Sequence, residues 1–278
     1  MKILNQILKY ALSKHRGKLK YQAIFQYLYR LGLSGMNIGG YNIEESGEVV
    51  ALKHVKSLFL NKDHLMLFDL GANKGEYSIL LKKLFHEKAD IHAFEPSKHT
   101  FRILKEKVGI QNQVFLHQKA LGELAAKLTL FYPEKGAGLA SLYDRKLDHF
   151  GIETKEMEQV EVTTLDSFCH EREIGEIDFL KLDVEGHELS VMKGAKQMLD
   201  AGKINTIQFE FGGCNIDSRT FFQDFYYLLS PTFRIYRIVK DGLFPIQEYS
   251  EDLEVFKTTN YLCISKKMEA QQKMNFTS

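Results

Sequence analysis

The chain has 278 residues, 44% hydrophobic and 26% charged, with a net charge of +1, which is the profile of a folded globular protein and argues against a disordered or fibrous one. No apolar run approaches the ~18 residues that a membrane-spanning helix needs, and no segment has the pattern of a secretory signal. Cys169, Cys214 and Cys263 are odd in number and widely spaced, which argues against a disulfide framework or a zinc site and predicts reduced thiols in the cytoplasm.

The charge is unevenly spread. Residues 1–43 hold seven Lys or Arg and no Asp or Glu, leaving 30 basic against 36 acidic residues in the remainder. Ile3, Leu4, Ile7, Leu8, Ala11 and Leu12 recur at helical spacing, and helical periodicity runs to about residue 31. Residues 1–45 are therefore expected to form a basic helical extension. Its apolar stripe suits either docking on the main domain or peripheral contact with an anionic membrane, at its inner face.

Four glycines in "GLSGMNIGGYN" end that periodicity, and a main domain over 46–266 follows, with 267–278 expected as a flexible tail. A helix is predicted over 46–60, a buried strand over 65–71, a helix over 76–87, a strand over 91–96, a helix over 98–109 and a strand over 114–121. Three strands separated by helices imply a parallel sheet with right-handed crossovers. Residues 122–170 break the rhythm with two short alternating strands and a turn-rich stretch, read as an insertion or a β extension with a loop able to reach the active site. "IDFLKLDVEG" restores a strand, followed by a helix to Gly202, a strand over 206–213 and a helix over 219–230. "FRIYRIV" and "NYLCISK" close the chain as an antiparallel edge joined by a polar loop.

The chemistry-bearing stretch is "FDLGANKGEY" (68–77). In an open α/β sheet, ligands sit beyond the carboxyl ends of the strands, and this turn lies at such an end. Gly71 and Gly75 let a ligand approach the backbone, and Asn73 tolerates an unusual dihedral. The spacing is G-x-x-x-G, whereas a dinucleotide turn has G-x-G-x-x-G. Asp69 disfavours a pyrophosphate, and Glu95 at the end of the next strand is placed to accept hydrogen bonds from a ribose. A cationic, ribose-bearing ligand without phosphate describes S-adenosylmethionine.

"FDLGANKGEYS", "HAFEPSKHTFRIL", "VTTLD", "IDFLKLDVEGHELSVMKGA" and "IQFEFG" together resemble the FkbM family of S-adenosylmethionine-dependent methyltransferases, over about residues 46–265. The resemblance implies an α/β, Rossmann-like class I methyltransferase fold: a mixed seven-stranded sheet with an antiparallel C-terminal edge and helices on both faces, beyond the N-terminal extension. It also implies O-methylation, often of sugar hydroxyls on glycans, with Asp69, Gly71, Asn73, Gly75 and Glu95 lining the cofactor site. The expected cofactor set further includes Ala72, Tyr77, Pro96, Ala120 and Asp183.

A sugar hydroxyl is a weak nucleophile that a general base assists. Asp183 should face the cofactor crevice from the end of its strand, as base or orienter, with Glu185 and His187 as further candidates and Glu210 as a wall of the acceptor pocket. The plainer readings are that His187 and Glu188 only open a helix and that Glu210 pairs with Lys181. No resident metal is expected. The acceptor is expected to be a glycan or sugar-containing molecule, since the acidic main domain offers no groove for nucleic acid. The rival readings are a nicotinamide-dependent oxidoreductase on a similar sheet and a non-catalytic cofactor-binding module.

Overall fold

The computed structural model describes residues 10, 12–39, 42–43, 45–109, 112–133, 136 and 138–275. The chain divides into two compact units, one ending at Gly39 and the other running from residue 40 onward. In the first unit, helix α1 (Gln22–Gly35) follows a single 3-10 turn at Leu19–Tyr21. Gly17, with φ +72, stands in the turn that precedes it. The expected continuous helix over 1–31 is thus interrupted, and its first apolar positions, from Ile3 to Ala11, lie outside the described residues.

In the second unit the elements alternate as predicted. Helix α2 (Glu48–Leu58) leads to β1 (Leu65–Leu70), α3 (Glu76–Phe85), β2 (Ala89–Phe94), α4 (Lys98–Val108) and β3 (Val114–His117). Next come β4 (Ala120–Leu121), β5 (Ala126–Tyr132), β6 (Glu156–Thr163) and α5 (Leu165–Glu171). The second half holds β7 (Ile177–Leu182), α6 (Glu188–Lys193), α7 (Lys196–Asp200), β8 (Ile204–Phe211), α8 (Cys214–Ser218) and α9 (Phe222–Leu229). The chain ends with β9 (Phe233–Val239), β10 (Gly242–Ile246), β11 (Thr259–Ser265) and α10 (Lys266–Asn275).

The main sheet runs β10-β9-β11-β8-β7-β1-β2-β3. The five strands from β8 to β3 are parallel, while β11, β9 and β10 pair antiparallel. The described sheet therefore has eight strands where seven were expected. The extra strand is β10, which lies in the supposed polar loop. Gly242 pairs with Val239, so Lys240 and Asp241 form a two-residue turn between β9 and β10. Pro245 sits on this outermost strand, where no neighbour requires its missing N–H.

Two further differences bear on the site. The strand expected over 114–121 splits: β3 stays in the main sheet, while β4 joins β6 and β5 in a separate three-stranded sheet. The expected flexible tail is instead α10 as far as Asn275, because Met268 is buried and Glu269 accepts from the Tyr236 hydroxyl at 2.6 Å.

Side chains alternate across each strand, and the two faces have separate cores. Phe68, Leu70, Leu180, Leu182, Phe209 and Phe211 pack towards α5, α6, α7 and α9. Leu65, Leu67, Phe179, Leu262 and Ile264 pack towards α2 and α3. This second face also carries a polar row, since Asp69 stands opposite Lys181 and Lys181 opposite Gln208.

Candidate active site

A cavity of about 770 Å³, counting its open mouth, lies beyond the carboxyl ends of β1, β2 and β7. Gly71, Asn73, Glu95, Pro96 and Ala120 form one wall, and Asp183, Val184 and Glu185 another. Leu130, Gly138, Ala140 and Leu142, from β5 and the segment after it, cover it. Of the predicted residues, Gly71, Asn73, Glu95, Pro96, Ala120, Asp183 and Glu185 are brought together here.

Local backbone chemistry fixes the turn after β1. Gly71 has φ +80, and a β-carbon there would stand 1.8 Å from the Asp183 carbonyl oxygen, so the β1 and β7 ends touch only because the residue is glycine. Asn73 takes φ +49. Its N–H donates to Glu95 Oε2 at 3.1 Å, while Glu95 Oε1 accepts from the Ser97 N–H at 2.9 Å. Burial, opposed by these two N–H groups, pushes the Glu95 carboxyl up to about 7. Asn73 Oδ1 is buried and has no partner.

Four predicted cofactor residues stand elsewhere. Asp69 is fully buried beneath the cavity, accepting from Ser78 Oγ at 2.6 Å with Lys181 Nζ 4.0 Å away. Strand alternation turns it to the α2/α3 face, and burial raises its pKa against the pull of Lys181. Tyr77 lies in the same layer, its hydroxyl donating to Gln208 at 2.8 Å. Gly75 serves helix packing: a β-carbon there would meet Leu104 and Val108 at 2.7 Å. Ala72 is buried against Ala93 and Leu104.

The catalytic candidates divide similarly. Asp183 lines the cavity and accepts from Lys181 Nζ at 2.9 Å. Glu185 also lines it, and its carboxylate is held by the Arg145 guanidinium. Burial, with Asp183 and Glu188 nearby and Arg145 opposing, pushes Glu185 up to about 8. His187 does not reach the cavity: it is buried, with Nδ1 3.1 Å from the Tyr143 hydroxyl, and desolvation lowers it to about 4. Glu188 is buried and accepts the N–H groups of Val184 and Gly186, in the loop before α6. Glu210 is half-buried and is not among the lining residues. Among the described residues it forms no ion pair with Lys181, which pairs with Asp183 instead. Burial and the carboxylates of Asp183, Glu185 and Glu188 push Glu210 well above the usual range.

Among the described residues no cluster of His, Cys, Asp and Glu is arranged to hold a metal ion. The sequence reading missed Lys119 and Thr100 on the cavity wall, and Arg145. Lys119 adjoins a predicted strand end, a usable signal; Arg145 lies 40 residues from its partner Glu185 in a loop with no motif.

The methyltransferase FkbM domain pattern matches residues 69–234, more than half of the chain, including both walls of the cavity. The chain belongs to the FkbM methyltransferase family. The methyl donor of FkbM methyltransferases is S-adenosylmethionine, and the cavity fits it: the unpartnered Asn73 Oδ1 offers an acceptor, and Glu95, Asp183 and Glu185 favour a cation over a pyrophosphate.

Among curated relatives, Methyltransferase 1 of Beauveria bassiana (strain ARSEF 2860) is 30% identical over 164 residues, covering 50% of this chain and 65% of that one. The 2-O-methyltransferase NoeI of Sinorhizobium fredii (strain NBRC 101917 / NGR234) is 26% identical over 150 residues, covering 50% and 61%. The chain thus spans less than two thirds of either relative. Among solved structures, the human methyltransferase 10 domain containing protein superposes with a TM-score of 0.44 at 12% identity, covering 79% of this chain and 81% of that one. At such a score the fold assignment of this FkbM chain rests on its own strand order.

Proposed function

We propose that the protein is an S-adenosylmethionine-dependent O-methyltransferase acting on a sugar hydroxyl, in a surface glycan or its precursor. The observation that carries this reading is the convergence of Glu95 and Asn73 with Asp183 and Glu185 on one cavity at the strand ends. The donor supplies a methyl carbon activated by a sulfonium. Glu95 would accept from ribose hydroxyls, Asn73 Oδ1 from the ammonium, and the Gly71 backbone gives close approach. Asp183 and Glu185 are the groups able to orient the acceptor hydroxyl and take its proton. Much of the rate would come from holding that hydroxyl in line.

The oxygen acceptor is supported by the name of the 2-O-methyltransferase relative, and the sugar by the family resemblance. The acidic wall speaks against the nicotinamide alternative. Calorimetry with S-adenosylmethionine and with NADH tests that choice; binding of NADH alone would overturn the assignment. Labelled S-adenosylmethionine supplied with fractionated glycans, read by mass spectrometry, tests the acceptor class. Label on a glycan fraction is expected, and label confined to protein or nucleic acid would refute it.

A cytoplasmic site at a membrane face fits the first unit. On α1, Ile24, Tyr27, Leu28 and Leu31 form an exposed apolar stripe, preceded by exposed Lys14, Arg16, Lys18 and Lys20. An anionic bilayer matches both the stripe and the charge. The full chain should co-sediment with phosphatidylserine vesicles but not with neutral ones, and replacing the four basic residues with Gln should release it. Equal binding of both proteins would refute the contact.

A further inference from the structure

The segment from Ala140 to Arg145 has two faces. Ala140 and Leu142 line the cavity and pack with Leu130, Tyr132 and Val160. Ser141, Tyr143 and Arg145 grip the loop after β7. Ser141 Oγ donates to the Glu185 carbonyl at 2.7 Å, the Tyr143 hydroxyl meets His187 Nδ1 at 3.1 Å, and the Arg145 guanidinium donates to the Glu185 carboxylate. In this strap Ser141 bridges Phe131 of β5, and the chain bends at Leu142 and Tyr143. The gripped residue is unusual, since Glu185 takes φ +52, a region that side chains bearing a β-carbon avoid. Arg145 is almost fully buried, and its Nε lies 3.9 Å from Asp217 of α8. One cation thus ties the strap to both the β7 loop and α8.

We propose that Arg145 is a positioning residue for methyl transfer: it holds the Glu185 carboxylate at the cavity wall, oriented to take the acceptor's proton. This rests on the reading of Glu185 as a general base. In that step Glu185 takes the hydroxyl proton as an oxygen electron pair forms the O–CH3 bond and sulfur keeps the pair of the broken S–CH3 bond. The surroundings make the cation necessary. Asp183 flanks Glu185 on its own loop, Glu188 stands at the start of α6, Glu210 on β8 and Asp217 on α8. Tyr143 stays a neutral phenol and His187 a neutral imidazole at working pH. Lys181 is committed to Asp183 and Asp69. Without Arg145, Glu185 would face the carboxylates of Asp183, Glu188 and Glu210 with no cation of its own, and would hold its proton to a higher pH than it does with Arg145 in place.

The test uses the full chain labelled with [5-13C]glutamate, with the Glu185 resonance assigned by Glu185→Gln. Arg145→Gln should raise the Glu185 titration midpoint by about one pH unit or more, the usual effect of losing an adjacent opposite charge. Arg145→Lys, which keeps the charge and loses the planar fork, should fall between Arg145→Gln and the wild type and serves if Arg145→Gln fails to fold. Binding of S-adenosylhomocysteine should change less than threefold. An unmoved midpoint with a lowered melting temperature would overturn the proposal and leave Arg145 a structural strut. Failure of the wild type to bind S-adenosylhomocysteine would instead overturn the cofactor reading and leave the titration result standing.

Discussion

Replacing Lys181 with Met removes the cation of a buried network beneath the cavity. Its ammonium lies 2.9 Å from Asp183, 4.0 Å from Asp69 and 4.5 Å from the Tyr77 ring centroid. Lys181 is 4% exposed and Asp69 0%, so water cannot replace it. Asp69 would keep only its Ser78 bond, since Oδ1 already lacks a partner. Breaking a buried ion pair by deleting one member costs about 3–5 kcal/mol, or a fall in Tm of about 6–20 °C at ~2–4 °C per kcal/mol. The loss should depend on pH. The Asp69 pKa is already raised by burial and rises further without Lys181, so its favourable protonated form is lost as pH climbs. Urea unfolding followed by circular dichroism should therefore show a smaller loss at pH 5 than at pH 8. Adding Asp69→Asn should recover part of it, because the orphaned charge goes. A loss under about 1 kcal/mol, or a double variant no more stable than the single one, would refute the claim that charge compensation holds this layer together.

Gly71→Ala forces a β-carbon into the Asp183 carbonyl at φ +80. It should cost more than the ~1–2 kcal/mol of the left-handed conformation alone and abolish S-adenosylhomocysteine binding by calorimetry, whereas Gly109→Ala, with open space around it, should leave binding intact. Glu95→Gln should weaken that binding about 10–100-fold, the worth of hydrogen bonds to a charged group. Because the Glu95 carboxyl sits at about 7, wild-type affinity should drop as pH falls below that value, and the variant should lose this dependence. His92 Nδ1 and His117 Nε2 are 3.0 Å apart, and burial lowers the two imidazoles to about 4 and about 3. Their contribution to stability is present above the unfolded value near 6.5 and lost as pH falls towards the folded ones. His117→Asn, which removes one titrating ring, should move the acid-unfolding midpoint by circular dichroism to lower pH; a move to higher pH would count against the neutral pair.

The parallel strands and their helices were legible because buried strands and amphipathic helices differ in apolar period. Beta-strand β10 escaped because an edge strand needs no inward face: Leu243, Phe244 and Ile246 are all partly or largely exposed. The helix over 187–202 divides at Gly194, where a β-carbon would stand 1.9 Å from the Gly122 carbonyl oxygen, so the division rests on a contact between residues 72 apart. Asp69 and Tyr77 were assigned to the ligand because they flank the glycine turn; strand alternation and the partners Lys181, Ser78 and Gln208 turn them into the core.

Local order along the chain determined the α/β class, the glycine turn and the acids at the ends of β2 and β7, since each depends on residues a few positions apart. Which of those acids meets the cavity, which is sealed beneath it and which is held by Arg145 depended on the pairing of β1 with β7 and on the strap from the β5–β6 hairpin. Those are contacts over 40 or more residues, and no local pattern encodes them, because a carboxylate's chemistry is set by the water and charges that folding leaves around it.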